Sequence, residues 1–113
     1  MKVNILGTDY TIKQQTPEEN PKLINANGVC EFWSKEIIVD TLQPDAESFN
    51  NLNAFNRKVL RHEIVHAFFG ESGLYDYMRD EVLVDWIALQ FDKIAEVFNQ
   101  LDTEMRNKDE ISD

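Results

Sequence analysis

The chain begins with a period of two. Val3 and Ile5 alternate with polar neighbours, Gly7-Thr8 breaks the run, and Tyr10 and Ile12 resume it. That alternation with a glycine-bearing break predicts a β-hairpin. Residues 16–28 hold two prolines and five Asn or Glu, and read as loop with room for a short helical turn. "GVCEFW" and "EIIVD" follow, separated by Ser34-Lys35. Both are short and rich in β-branched or aromatic residues, so a second hairpin is expected.

The period then lengthens. A polar stretch with Pro44 leads into a helix, for which Asn50, Asn51 and Asn53 are candidate N-caps. Gly70 reads as its C-terminal stop. Phe55, Val59, Leu60, Ile64, Val65, Ala67, Phe68 and Phe69 cover most of its circumference, and Arg57, Lys58 and Arg61 mark the solvent side. A helix apolar over so wide an arc is a buried one. Residues 71–80 read as a connecting loop. A second long helix is expected from Arg79 or Asp80 to about Leu101, followed by an acidic, flexible tail at 102–113. The fold class is therefore α+β: a small, twisted, mostly antiparallel sheet of two hairpins, packed on two helices. Residues 1–101 form one domain.

Composition narrows the function. With 113 residues and 42% apolar positions, the chain can bury a core. Its net charge of −10 argues against nucleic acid and against anionic membranes. Cys30 is the single cysteine, so no intrachain disulfide exists, and its apolar setting suggests a small buried side chain. The N-terminus reaches Gly7 and Asp9 too soon for a signal peptide, and no stretch approaches the ~20 apolar residues of a membrane span. A cytoplasmic location is expected.

Both histidines fall within "LRHEIVHAFFGESG", as His62-Glu63-x-x-His66. On a helix, residues four apart differ by about 40° and stand ~6 Å apart along the axis. Two imidazoles so placed can converge on one ion. Glu63 lies about 100° round from His62, too far to be a ligand but able to reach a water beside the ion. Two His and a Glu on a buried helix are costly without strong partners, and zinc supplies them.

A hydrolytic zinc site has three protein ligands and an open position. With no third His, the remaining ligand must be a carboxylate on a neighbouring rigid element. Glu81 and Asp85 share one face of the second helix, on the edge of an apolar arc that includes Ala88 and Ala95. Small residues there allow close helix packing. Glu81 is expected to bind the metal, and Asp85 to accept a hydrogen bond from the far N–H of His62.

His62-Glu63-Ile64-Val65-His66 followed by Glu81 to Asp85 resembles the gluzincin pattern, HExxH and then ExxxD on the next helix. The small size and the strands before the helix are similar to the minimal gluzincins, including the phage-associated ImmA/IrrE-like metallopeptidases. Val65 departs from the Gly often found before the second His in those proteins. The resemblance implies a zincin-like fold over about residues 28–100. It also implies an edge strand that pairs with an extended substrate, and Val29–Trp33 sits where that strand belongs, so Cys30, Glu31 and Phe32 become candidate substrate-binding residues. The activity implied is zinc-dependent peptide hydrolysis, by a zinc-activated water with Glu63 as general base. Tyr75 or Tyr77 is the candidate oxyanion donor. The partner is a peptide or protein substrate. The alternative is a zinc-stabilised interaction module of phage origin that does not cut. A latent form capped by the acidic tail is a further possibility.

Overall fold

The computed structural model describes residues 1–41 and 52–112, with side chains described at 1–41 and 56–108. The candidate caps Asn50 and Asn51 lie outside the described residues.

The two hairpins form as the alternation predicts. Strands β1 (Lys2–Ile5) and β2 (Thr8–Gln15) pair antiparallel. Their two-residue turn is Leu6-Gly7, one residue earlier than the expected Gly7-Thr8 break. Both turn residues have positive φ, 52° and 94°, as a hairpin turn matching the strand twist requires. Asn4 Oδ1 accepts the Gly7 N–H at 3.0 Å, which fastens the turn. Strands β3 (Gly28–Glu31) and β4 (Glu36–Asp40) form the second hairpin. The hairpins join through a parallel β2–β4 pairing, giving the order β1-β2-β4-β3. The sheet is thus mixed but mostly antiparallel, and β3 is left at an edge. The loop between them contains a 3₁₀ turn, Pro21–Ile24, that buries Leu23.

Helix α1 (Leu52–Glu71) lies on one face of the sheet. Since α1 already includes Asn53, that residue is not its cap. Ile5, Tyr10, Ile37 and Ala67 form the core between them, with Ile12, Cys30, Phe32, Leu60 and Ile64 packed around it. Burial of α1 is narrower than its apolar arc suggests: Ala67, Glu63, His66 and Gly70 are buried, while Phe68 is exposed.

Gly70 is not the helix stop. The chain continues helical through Glu71 and ends at Gly73, whose φ is +75°. Gly73 N–H bonds to Gly70 O and Leu74 N–H to Phe69 O, which caps two of the free carbonyls of the last turn. Gly70 serves packing instead: a Cβ there would stand 2.5 Å from the Phe32 ring and 3.0 Å from Met78 Sδ.

A carboxylate at a helix C-terminus opposes the helix dipole, so Glu71 needs partners. The sheet provides three: Tyr10 Oη donates to it at 2.7 Å, Lys35 Nζ at 2.7 Å and Thr8 Oγ1 at 3.3 Å. This cluster ties the end of α1 to both hairpins. The hydrogen bonds from Lys35 and Tyr10 hold the Glu71 carboxyl below the usual carboxylate range. Burial, reinforced by Glu71, pushes the Tyr10 hydroxyl up, so it stays a donor.

The short helix α2 (Tyr75–Met78) occupies part of the expected loop and leads to α3 (Glu81–Ser112). Asp80 caps α3, its carboxylate accepting the Leu83 N–H at 3.0 Å. Glu81 lies opposite His66, Asp85 opposite His62, and Asp92 opposite Arg61, so α1 and α3 run antiparallel. Val84 and Ala88 are buried at this seam. The expected end at Leu101 is not observed: α3 continues helical through the acidic segment to Ser112 and is exposed from Glu96 to Lys108. No described helix is long and apolar enough to cross a membrane.

Candidate metal centre

One turn of α1 brings His62, Glu63 and His66 together as a cluster able to hold a metal ion. The two Nε2 atoms face each other 3.2 Å apart. Glu81, arriving from the first turn of α3, places one carboxylate oxygen 2.7 Å from His62 Nε2 and the other 3.2 Å from His66 Nε2. Three donors at bond lengths of ~2.0–2.1 Å around a tetrahedral ion are separated by about 3.3–3.4 Å. The Nε2–Nε2 separation of 3.2 Å is close to that spacing, and the two Glu81 contacts, one from each carboxylate oxygen, are 2.7 and 3.2 Å. Two imidazoles and one carboxylate are also the donor set that zinc favours. The His62, Glu63 and His66 cluster could thus hold a metal ion, with the Glu81 carboxylate beside both imidazoles.

The opposite ring atoms are fixed by acceptors. His62 Nδ1 lies 3.3 Å from Asp85 Oδ1, and His66 Nδ1–H donates to the Met78 carbonyl at 2.5 Å. The Met78 carbonyl can only accept, so His66 carries a proton on Nδ1, while His62 stands between two carboxylates, Asp85 at Nδ1 and Glu81 at Nε2. Both Nε2 atoms face the Glu81 carboxylate. Asp85 was expected beside His62 from helix spacing. Met78 O was not, because a backbone acceptor carries no residue-type signal; the turn between α2 and α3 sets its direction.

Glu63 is 6% exposed, and its Oε1 stands 4.0 Å from His66 Nε2. Burial pushes its carboxyl above the usual range, and both histidines oppose that shift. Its carboxylate lies within 4.8 Å of the histidine ligand atoms.

These groups line a cleft of about 980 Å³ between α1, α3 and the edge strand. Cys30, Glu31 and Phe32 all line its opposite wall. Cys30 is also packed against the core, and burial pushes its thiol up to about 12, which keeps it protonated. Glu31 is paired with Lys22 at 2.5 Å. Close approach of β3 to α1 depends on Gly28, where a Cβ would meet Val59 Cγ1 at 2.7 Å and Glu63 Cγ at 3.2 Å. A glycine at the start of a predicted strand was the available signal for this contact.

The two tyrosine candidates separate. Tyr75 lines the cleft and packs edge-on against Phe32, ring centroids 5.8 Å apart. Tyr77 does not line it; its ring lies against Phe69 instead, at 6.2 Å. The helical turn of α2 sends them to different sides, which a loop reading could not anticipate. Trp33, 87% exposed at the turn after β3, stands at the cleft rim against Phe32.

Compared with protein-family models, with curated proteins and with solved structures, the chain matches none. The zincin-like character of the site therefore rests on its own geometry.

Proposed function

We propose that this chain is a zinc-dependent metallopeptidase of gluzincin type, with His62, His66 and Glu81 as ligands. The observation that carries the reading is the convergence of three donors from two helices beside a buried glutamate, facing an edge strand across a cleft. A zinc ion held there supplies Lewis acidity toward a carbonyl and acidifies a neighbouring water.

The chain's own groups account for the rest. Asp85 and Met78 O hold the rings in the tautomer that frees both Nε2 atoms. Glu63 takes the proton of the attacking water and returns it to the leaving amine. Its raised affinity for a proton suits a group that must first accept and then give one. The free edge of β3 pairs with an extended peptide, and side chains at Cys30, Glu31 and Phe32 flank it. Tyr75 is the hydroxyl in the cleft that can donate to a developing oxyanion. The likeness to ImmA/IrrE-like enzymes supports a peptide or protein substrate. A zinc-stabilised module that only binds would have no use for a glutamate buried beside the donors.

The test is a peptide pool from a denatured protein, incubated with the zinc-loaded chain and read by mass spectrometry for new termini. The wild type should cut, and the Glu63→Gln variant should retain zinc yet lose cutting by roughly 10²–10⁴-fold. Equal cutting by both, or none by the loaded wild type, would contradict the proposal.

A further inference from the structure

Helix α3 carries an apolar stripe that the metal centre does not explain. Val84, Ile87, Phe91, Ile94, Phe98, Leu101 and Met105 recur at alternating spacings of three and four. That is an a/d heptad seam, the pattern of a helix that pairs with another helix. Val84 packs into the domain. From Phe91 onward the seam turns outward: Phe91 is 57% exposed, Phe98 61%, Leu101 53% and Met105 54%. Ile94 is half-buried between Phe91 and Phe98, and beyond it Phe98, Leu101 and Met105 stand exposed along one face, a grouping that marks an interaction surface more than scattered side chains do.

The flanks say what kind of helix would fit. The positions bordering the seam include Asp102, Glu104 and Asp109. Residues 96–113 hold six acids and two bases. A second copy in parallel would set Glu104 against the partner's Asp109, and an antiparallel copy would set these acids against each other. Like charges at such positions oppose pairing. A helix with Lys or Arg at the matching positions reverses the sign of every one of these contacts. We propose that the face of α3 from Phe91 to Met105 is a docking surface for a basic amphipathic helix of a partner protein.

The test uses a synthetic four-heptad peptide with Leu at the a and d positions and Lys at e and g, and a twin with Glu at e and g. Binding to the full chain is read by fluorescence anisotropy, self-association by sedimentation, and folding by Tm. The basic peptide should bind saturably and the acidic twin should not. Phe98→Gln with Leu101→Gln leaves the charge unchanged, and should weaken binding by about tenfold or more at unaltered Tm. Absence of binding overturns the proposal, as does binding that survives the double substitution. Self-association abolished by those substitutions would make a second copy the occupant. A fall in Tm on the double substitution without peptide binding would assign the seam to the fold of this chain itself and overturn the proposal.

Discussion

His62 Nδ1 and Asp85 Oδ1 lie 3.3 Å apart, joining the metal-facing turn of α1 to the second turn of α3. In the proposed zinc centre this contact would orient the His62 ring from the side opposite Nε2. Asp85→Ala should therefore lower zinc affinity by about 10–100-fold while leaving the fold intact. Competition against a chromophoric chelator measures this. Unchanged affinity would show that Asp85 has no orienting role.

Tyr75 and Tyr77 are equally exposed, both 52%, yet only Tyr75 lines the cleft. Tyr75→Phe should reduce kcat by roughly 10²-fold if its hydroxyl meets the oxyanion, with KM little altered. Tyr77→Phe should be silent. Steady-state kinetics on any peptide found to be cut would distinguish them. The reverse ranking would remove Tyr75 from the mechanism.

The Glu71 cluster gives an acid-side dependence. Its carboxyl titrates below the ordinary 4.5 in the folded chain, through Lys35 and Tyr10. The unfolded chain therefore binds the proton at higher pH, so the stabilisation is present above 4.5 and is lost as pH falls through the folded value. Thermal melts of wild type and Glu71→Gln should differ most near neutral pH and converge in acid. A constant gap across that range would show that the charge of Glu71 contributes nothing.

At Gly70 two effects oppose each other. Alanine is the better helix former by about 1 kcal/mol. Its Cβ would meet the Phe32 ring at 2.5 Å, a clash that the half-buried ring must relieve by moving. Overpacking of that kind costs about 1–3 kcal/mol, so the net change in Gly70→Ala should be destabilising. Urea denaturation would show a lower midpoint with the slope unchanged. A raised midpoint would mean that Phe32 shifts freely.

The histidine spacing and the Glu81 and Asp85 spacing are local properties of single helices, and helical periodicity is enough to put each set on one face. The hairpins were legible for the same reason. What lay beyond reach depended on relations between elements. The parallel β2–β4 pairing joins strands separated by a loop, and nothing in either strand's alternation specifies it. Gly70 and Gly73 are both plausible stops, and only the positive φ of Gly73 and the Phe32 ring over Gly70 tell them apart. Residues 102–113 read as a flexible tail because their charge hides the period, but Leu101 and Met105 continue the seam of α3, which is helical to Ser112.

Every role proposed for this site depends on the ion. Metal analysis of the purified chain, with and without zinc loading and beside His66→Ala, tests it directly. The wild type should carry one equivalent of zinc, and the variant should lose it. A wild-type chain that stays metal-free in excess zinc would contradict the assignment of His62, His66 and Glu81 as a metal centre.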